Sequence, residues 1–194
     1  GKLLLVDEAH GPHFHFCREL PTAAEDVGAD AVVQSSHKIL SALSQAAVLH
    51  TKDRTIKEPT VRKVLQLIQT TSPHFAIMTS IDTARRQMVL EGDALLRGTL
   101  TCAQRVRAEL GRIPGVEVLG RTHVHGPGSG FFDLDETKIV LRVDGLRMTG
   151  YEVQRVLSAD HGVPGADHGR PHRAGARVQP GALPSGDGCA ARVR

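Results

Sequence analysis

The chain has 194 residues and a formal charge of +3, and its 24 lysines and arginines form no block of the kind that binds nucleic acid. One Tyr, five Phe and no Trp leave no stacking platforms for single strands, and no apolar run approaches the roughly 18 residues of a membrane span. The first residues lack the charged and apolar regions of a signal peptide. Cys17, Cys102 and Cys189 show no C-x-x-C spacing, which speaks against structural zinc and suits a reducing, cytoplasmic compartment.

In chain order, Leu3, Leu4, Leu5 and Val6 form a continuous apolar run stopped by Asp7-Glu8-Ala9-His10-Gly11, as expected of a strand covered on both faces. Residues 22–27 read as a short helix that Gly28 terminates. Ala31, Val32 and Val33 repeat the strand pattern and run into Gln34-Ser35-Ser36-His37-Lys38. Strand, crossover, strand is the signature of a parallel α/β sheet, whose ligand crevice lies at the carboxyl ends of the strands, where Asp7 and Lys38 fall.

Residues 45–50 are strand-like, and 58–69 carry Val61, Val64, Leu65 and Ile68 at helical spacing, predicting one face packed on the sheet. Pro73 breaks that pattern. Residues 75–110 read as a long helix, interrupted near Gly92 or Gly98, that connects a large domain to a small one. Pro114-Gly115 turns the chain into a strand at 116–119; 137–143 is the next strand, and Thr149 caps a helix that opens over 149–157. From Ala159 onward Gly, Pro, Ala, Arg and His dominate without helix or strand period, so 159–194 is expected to be a disordered tail or the product of a shifted reading frame.

VDEAHG, the SSHK whose lysine follows the aspartate by 31 residues, LSQAAVLH and TTSP together resemble the fold-type-I pyridoxal-phosphate enzymes, and among them the lysine, ornithine and arginine decarboxylases, over about residues 2–155. The resemblance implies an α/β fold in two pieces. Residues 1–111 would be the second half of a large cofactor domain, a mostly parallel sheet with flanking helices and the connecting helix. Residues 112–158 would begin an α+β small domain. It further implies pyridoxal 5'-phosphate as cofactor, a basic amino acid as substrate, a homo-oligomer, and no nucleic-acid or membrane partner. By position Lys38 is the imine-forming lysine and Asp7 the partner of the pyridinium nitrogen. Ser35 and His37 lie near the phosphate and the lysine, and Ala9 and His10 line the ring. Thr71 and Ser72 become ligands of a neighbouring subunit's cofactor, although the same residues read equally well as an N-cap. The family's glycine-rich phosphate loop would precede the Asp7 strand, so the chain is expected to be an incomplete, inactive piece of the enzyme.

Physical chemistry supports the two central assignments. A buried carboxylate beside the ring nitrogen favours its protonated form, and a lysine lowered toward neutrality by burial or a neighbouring cation condenses with an aldehyde. His37 is placed to modulate Lys38, and the hydroxyls and amides of Ser35 and Ser36 suit a phosphate. Each residue also has a plainer role: Asp7, Ser35 and Ser36 as turn residues, Lys38 as a solvated surface lysine, His10 as a packing group.

Two rival classes compete. LLLVDEAH also matches the magnesium-binding strand of a DEAH-type helicase, but no G-x-x-x-x-G-K-[ST] phosphate cradle accompanies it. Asp7, His10, His13 and His15 form a D-x-x-H-x-x-H-x-H run with metal-ligand chemistry.

Overall fold

A computed structural model of the chain describes residues 2–163, apart from 53, 55, 126, 127, 129 and 131, together with the backbone of one strand at Ala176–Val178. Two compact units, 1–96 and 97–194, divide it. In the first, β1 (Leu5–Asp7) pairs in parallel with β2 (Ala31–Gln34), Asp7 opposite Val33, and β2 pairs antiparallel with β3 (Val48–Thr51). The described sheet is therefore mixed, in the order β1-β2-β3.

β1 departs from the expectation of burial on both faces. It is an edge strand with one packed side: Val6 packs on Ala24, Ala29 and Val32, whereas Leu3, Leu4 and Leu5 are 55%, 49% and 65% exposed. The crossover carries a 3-10 turn at Phe14–Phe16 and, at residues 23–29, tight turns instead of the expected helix. Ala29 N–H reaches back to Ala24 O at 3.0 Å, closing the segment after barely one turn, too short for a helix to propagate.

A four-residue helix, α1 (Ser36–Ile39), follows β2 directly. The strand expected from 45 starts later, because Gln45 turns the chain in the left-handed region (φ 74°). α2 (Glu58–Ile68) has the expected bounds but buries none of its residues. Val61 and Leu65 alone are half-buried, beside Leu49 and Thr51 in an open groove of about 400 Å³, while Leu67 and Ile68 are 85% and 74% exposed. After Pro73, α3 (Phe75–Leu110) runs unbroken for 36 residues through both glycines thought to interrupt it. A glycine costs a helix interior only about 1 kcal/mol. At Gly92 the bare backbone has a packing reason: a Cβ there would stand 3.1 Å from both Phe16 Cβ and Met88 Cε.

In the second unit β4 (Glu117–Val118) pairs antiparallel with β5 (Ile139–Arg142), and β5 with β6 (Ala176–Val178). A short α4 (Arg121–Val124) and a 3-10 turn at Asp144–Leu146 intervene. Ile139, Leu141 and Val143 form the core with Val106, Leu110, Val116, Val118, Leu146 and Val153. α5 (Gly150–His161) starts at its expected Thr149 cap and runs past 157 until Gly162, at φ 62°, ends it. Thr149 accepts the Glu152 N–H, and the Glu152 carboxylate accepts the Thr149 N–H at 2.7 Å. The tail expected to lack regular structure thus contributes the end of α5 and, through β6, a partner for the open edge of β5. Residues 164–175 and 179–194 lie outside the described residues.

Two features hold this unit together. The Arg107 guanidinium, from the last turns of α3, donates to the carbonyls of Leu119, Glu136 and Lys138 at 2.5–3.3 Å. Burial pulls its pKa below the ordinary arginine value, opposed by the carboxylates of Glu136 and Asp135. Gly115 (φ +87°) and Gly145 meet backbone to backbone: a Cβ on Gly145 would stand 2.5 Å from Gly115 Cα.

Arg107→Ala would remove the donor to three carbonyls, and hydrogen bonds to charged groups are each worth about 1.5–3 kcal/mol. The variant is expected to lose amide-exchange protection across β5 while β2 and β3 keep theirs. Gly145→Ala should destabilise the same unit by about 1–3 kcal/mol in urea unfolding, since neither backbone can yield without displacing the other. Hydrogen bonds from the Thr149 amide and then its hydroxyl lower the Glu152 pKa. The stability this contributes is present above the unfolded-state pKa and lost as pH falls through the folded one, so helicity of α5 should fray on acidification, and Glu152→Gln should remove that dependence.

Candidate functional site

Parallel pairing puts the carboxyl ends of β1 and β2 side by side, and Asp7, Ala9, His10, Ser35 and Ser36 lie at those ends or in the turn after β1, with His37 and Lys38 following in α1. The ladder is extended by Glu8 N–H to Val33 O at 2.9 Å and closed by Ser35 N–H to Ala9 O at 3.3 Å. Ala9 and Ser35 are therefore in direct contact. Asp7 ends β1, and its Oδ1 accepts the Ala9 N–H at 3.0 Å, an Asx turn that fixes the carboxylate's direction. The turn of residues 8–11 closes with Gly11 N–H on Glu8 O at 2.8 Å and carries a half-buried His10.

On the β2 side, Ser35 occupies the cap position of α1 and is buried with Ser36. His37 is held twice by one carbonyl: its amide donates to Ala46 O at 3.2 Å and its Nδ1 to the same oxygen at 2.9 Å. Because a carbonyl only accepts, Nδ1 carries the proton, and Nε2 is the ring nitrogen that this contact leaves uncommitted. Lys38 follows, its amide on Ser35 O at 3.1 Å.

Asp7 and Lys38, expected to be buried, are both exposed. The core cluster of this sheet, Ala24, Ala29 and Val32 with Val6 packed on it, lies by the crossover and includes neither residue. Thr71 and Ser72 are exposed too, and neither caps α3; Thr70 Oγ1 instead accepts the Ser72 N–H at 3.1 Å.

The histidine run does not assemble. His13 is 1% exposed, tilted on Phe14 with ring centroids 4.7 Å apart, and His15 leaves it for Glu25 (3.1 Å) and Asp26 (3.4 Å). The 3-10 turn at Phe14–Phe16 spreads the imidazoles, and no group of three or more metal-ligating side chains occurs among the described residues.

Sequence reasoning passed over Glu8 and Gln34, the neighbours of Asp7 and Ser35. The Glu8 carboxylate accepts the Ala24 N–H at 2.9 Å through one oxygen and the Gln34 amide at 2.6 Å through the other. The only available signal was their adjacency to the two site segments, since a pair 26 residues apart has no periodicity.

Residues with the chemistry of a pyridoxal phosphate site, a carboxylate, a primary amine, an imidazole and buried serines, thus share one edge of a parallel strand pair. No helix of the described residues is long and apolar enough to cross a membrane.

Comparisons with known proteins bear on the family and the fold. Residues 1–155 match the family model for the Orn/Lys/Arg decarboxylase major domain. An arginine decarboxylase of Bacillus subtilis is 34% identical over 154 residues, covering 79% of this chain and 31% of that protein. Among solved structures, the constitutive lysine decarboxylase of Escherichia coli superposes with a TM-score of 0.64 at 21% identity, over 90% of this chain and 29% of that one. The alanine–glyoxylate aminotransferase of Nostoc sp. gives 0.63 at 16%, over 92% and 48%. These likenesses show the partial α/β fold shared by such decarboxylases and aminotransferases. The chain spans about a third of the length of the curated relatives it matches. Neither the helicase nor the metal alternative finds support. The chain belongs to the Orn/Lys/Arg decarboxylase family.

Proposed function

We propose that this chain contributes the covalent lysine and the ring-nitrogen carboxylate of a pyridoxal 5'-phosphate-dependent decarboxylase that converts lysine, ornithine or arginine to its amine and CO2. One observation carries the proposal: the Asp7 loop and the Ser35–Lys38 turn leave the same end of a parallel strand pair and touch through Ala9 and Ser35. Arginine is the first substrate to try, because the relatives matched over most of the chain are named arginine decarboxylases.

When bound, the cofactor supplies an electron sink for the carbon that loses CO2. Everything else falls to the protein. Asp7, already oriented by the Ala9 amide, holds a proton on the ring nitrogen as its charge partner. Lys38 offers its amine to the aldehyde. His37, pinned on Ala46 O and next to Lys38 in the chain, has its Nε2 to take or return a proton. Ser35 and Ser36 offer donors to the phosphate, while Ala9 and His10 border the ring.

The same reading takes residues 1–111 and 112–158 as parts of a large and a small domain, and the enzyme as a cytoplasmic homo-oligomer. Exposed Leu67, Ile68 and Phe75 are apolar surface of the kind assembly covers.

Borohydride reduction of the whole enzyme with pyridoxal phosphate, followed by peptide mapping, should label Lys38, and Lys38→Ala in that enzyme should abolish both the label and turnover. Asp7→Asn should keep the label while lowering kcat about 10²–10³-fold, the scale of losing one electrostatic stabiliser of the transition state. A label on another lysine, or full activity of Asp7→Asn, would defeat the assignment.

A further inference from the structure

Exposure of Asp7 and Lys38 raises a positional problem: packing does not hold either side chain, so their loops must be set from behind. The carboxyl ends of β1 and β2 are joined there by side chains as well as by backbone. Glu8 directly follows Asp7. Gln34, 4% exposed, directly precedes Ser35. Gln34 Nε2 donates to Glu8 Oε2 at 2.6 Å, and Gln34 Oε1 takes His50 Nε2 at 3.2 Å. An amide oxygen only accepts, so His50 donates. The same nitrogen lies 3.4 Å from Glu25 Oε1, and Glu8 Oε1 holds the Ala24 N–H at 2.9 Å. One carboxylate therefore ties together the end of β1, the crossover and the end of β2, and Gln34 passes the tie to β3.

The turn after Glu8 is built to admit this. A Cβ on Gly11 would stand 2.4 Å from Glu8 Cγ and 2.7 Å from Phe14 Cε2, so the glycine leaves room for the glutamate to fold back over the sheet. A glutamate suits the position because both its oxygens accept and both face donors. A glutamine there would turn an NH2 toward one of them.

We infer that the Glu8–Gln34 pair is a positioning device, setting the spacing and direction of the Asp7 loop and the Ser35–Lys38 turn so that the carboxylate and the amine reach the same pyridoxal ring. This rests on the assignment of Asp7 and Lys38 proposed above. Neither Glu8 nor Gln34 touches the cofactor; they act through the residues beside them. A slip of either strand end would leave a buried acceptor or donor unmatched, so the pair penalises every geometry but one.

The test uses the full chain and the variants Glu8→Gln, Gln34→Glu and the double exchange of both. Val32→Ala serves as a control that weakens the same sheet without touching the polar pair. For each, pyridoxal phosphate is titrated, borohydride traps the covalent adduct, labelling of Lys38 is read by peptide mapping, and the urea midpoint is measured alongside. Each single variant should raise the half-labelling concentration about tenfold or more, the scale on which small misplacements are felt. Gln34→Glu sets two carboxylates face to face. The double exchange again pairs one amide with one carboxylate, still offers an acceptor to Ala24 and His50, and should return half-labelling to within about threefold of wild type, the coupling expected of residues in contact.

No labelling of Lys38 in the wild type would remove the site assignment and this inference with it. Labelling at Lys38 that is unchanged in the single variants, or unrecovered by the double exchange, would overturn the inference and leave the assignment standing. So would a Val32→Ala variant that loses as much labelling as Glu8→Gln at the same urea midpoint, because the pair would then act through stability alone.

Discussion

Parallel pairing of β1 with β2 is the constraint on which the first unit depends. Parallel strands cannot be joined by a tight turn, so the chain must leave the end of β1, cross one face of the sheet and return to the start of β2. Both strands then finish at the same edge. Asp7 and Lys38 are 31 positions apart in the chain, yet their loops emerge as neighbours, and the Ala9–Ser35 hydrogen bond is the contact that records it. The price of this arrangement is an edge where the ladder stops and backbone pairing no longer orders anything.

What orders that edge is a set of polar contacts beneath it. Glu8, Gln34, His50 and Glu25 come from β1's end, β2, β3 and the crossover, and each makes contacts that a neighbouring register would break. Buried polar groups are costly when unmatched, which is what makes a matched set selective for one geometry. The second unit meets a comparable need differently. There a single guanidinium gathers the carbonyls of Leu119, Glu136 and Lys138, and two glycines let backbone press on backbone. In both places a long-range polar or steric fit does what the short strands, two to four residues each, cannot do alone.

The same first strand shows why local motifs mislead. DEAH followed by two more histidines has the composition of a metal site and of a nucleotide motor. The turn at 8–11 and the 3-10 turn at Phe14–Phe16 send those residues apart: Asp7 to the sheet edge, His13 into the interior against Phe14, His15 to Glu25 and Asp26. Gly11 serves the fold of Glu8, so part of the motif is spent on geometry and not on ligands.

The sequence by itself determined the elements whose signals are local. The apolar run of β2, the bounds of α2, the Thr149 cap with Glu152 three residues on, and the break at Pro73 all follow from patterns within a few residues. The strand–crossover–strand order also sufficed to bring Asp7 and the Ser35–Lys38 turn to one sheet edge, because chain connectivity leaves few alternatives. Only the tertiary structure decided the exposure of Leu3–Leu5 and of Asp7 and Lys38, the antiparallel direction of β3, the continuity of α3 through Gly92 and Gly98, and the pairing of Glu8 with Gln34. Each of these turns on which surfaces and donors meet across tens of residues. A residue's own neighbours in the chain carry no record of whether a strand has one partner or two, or of which carboxylate a buried amide will find.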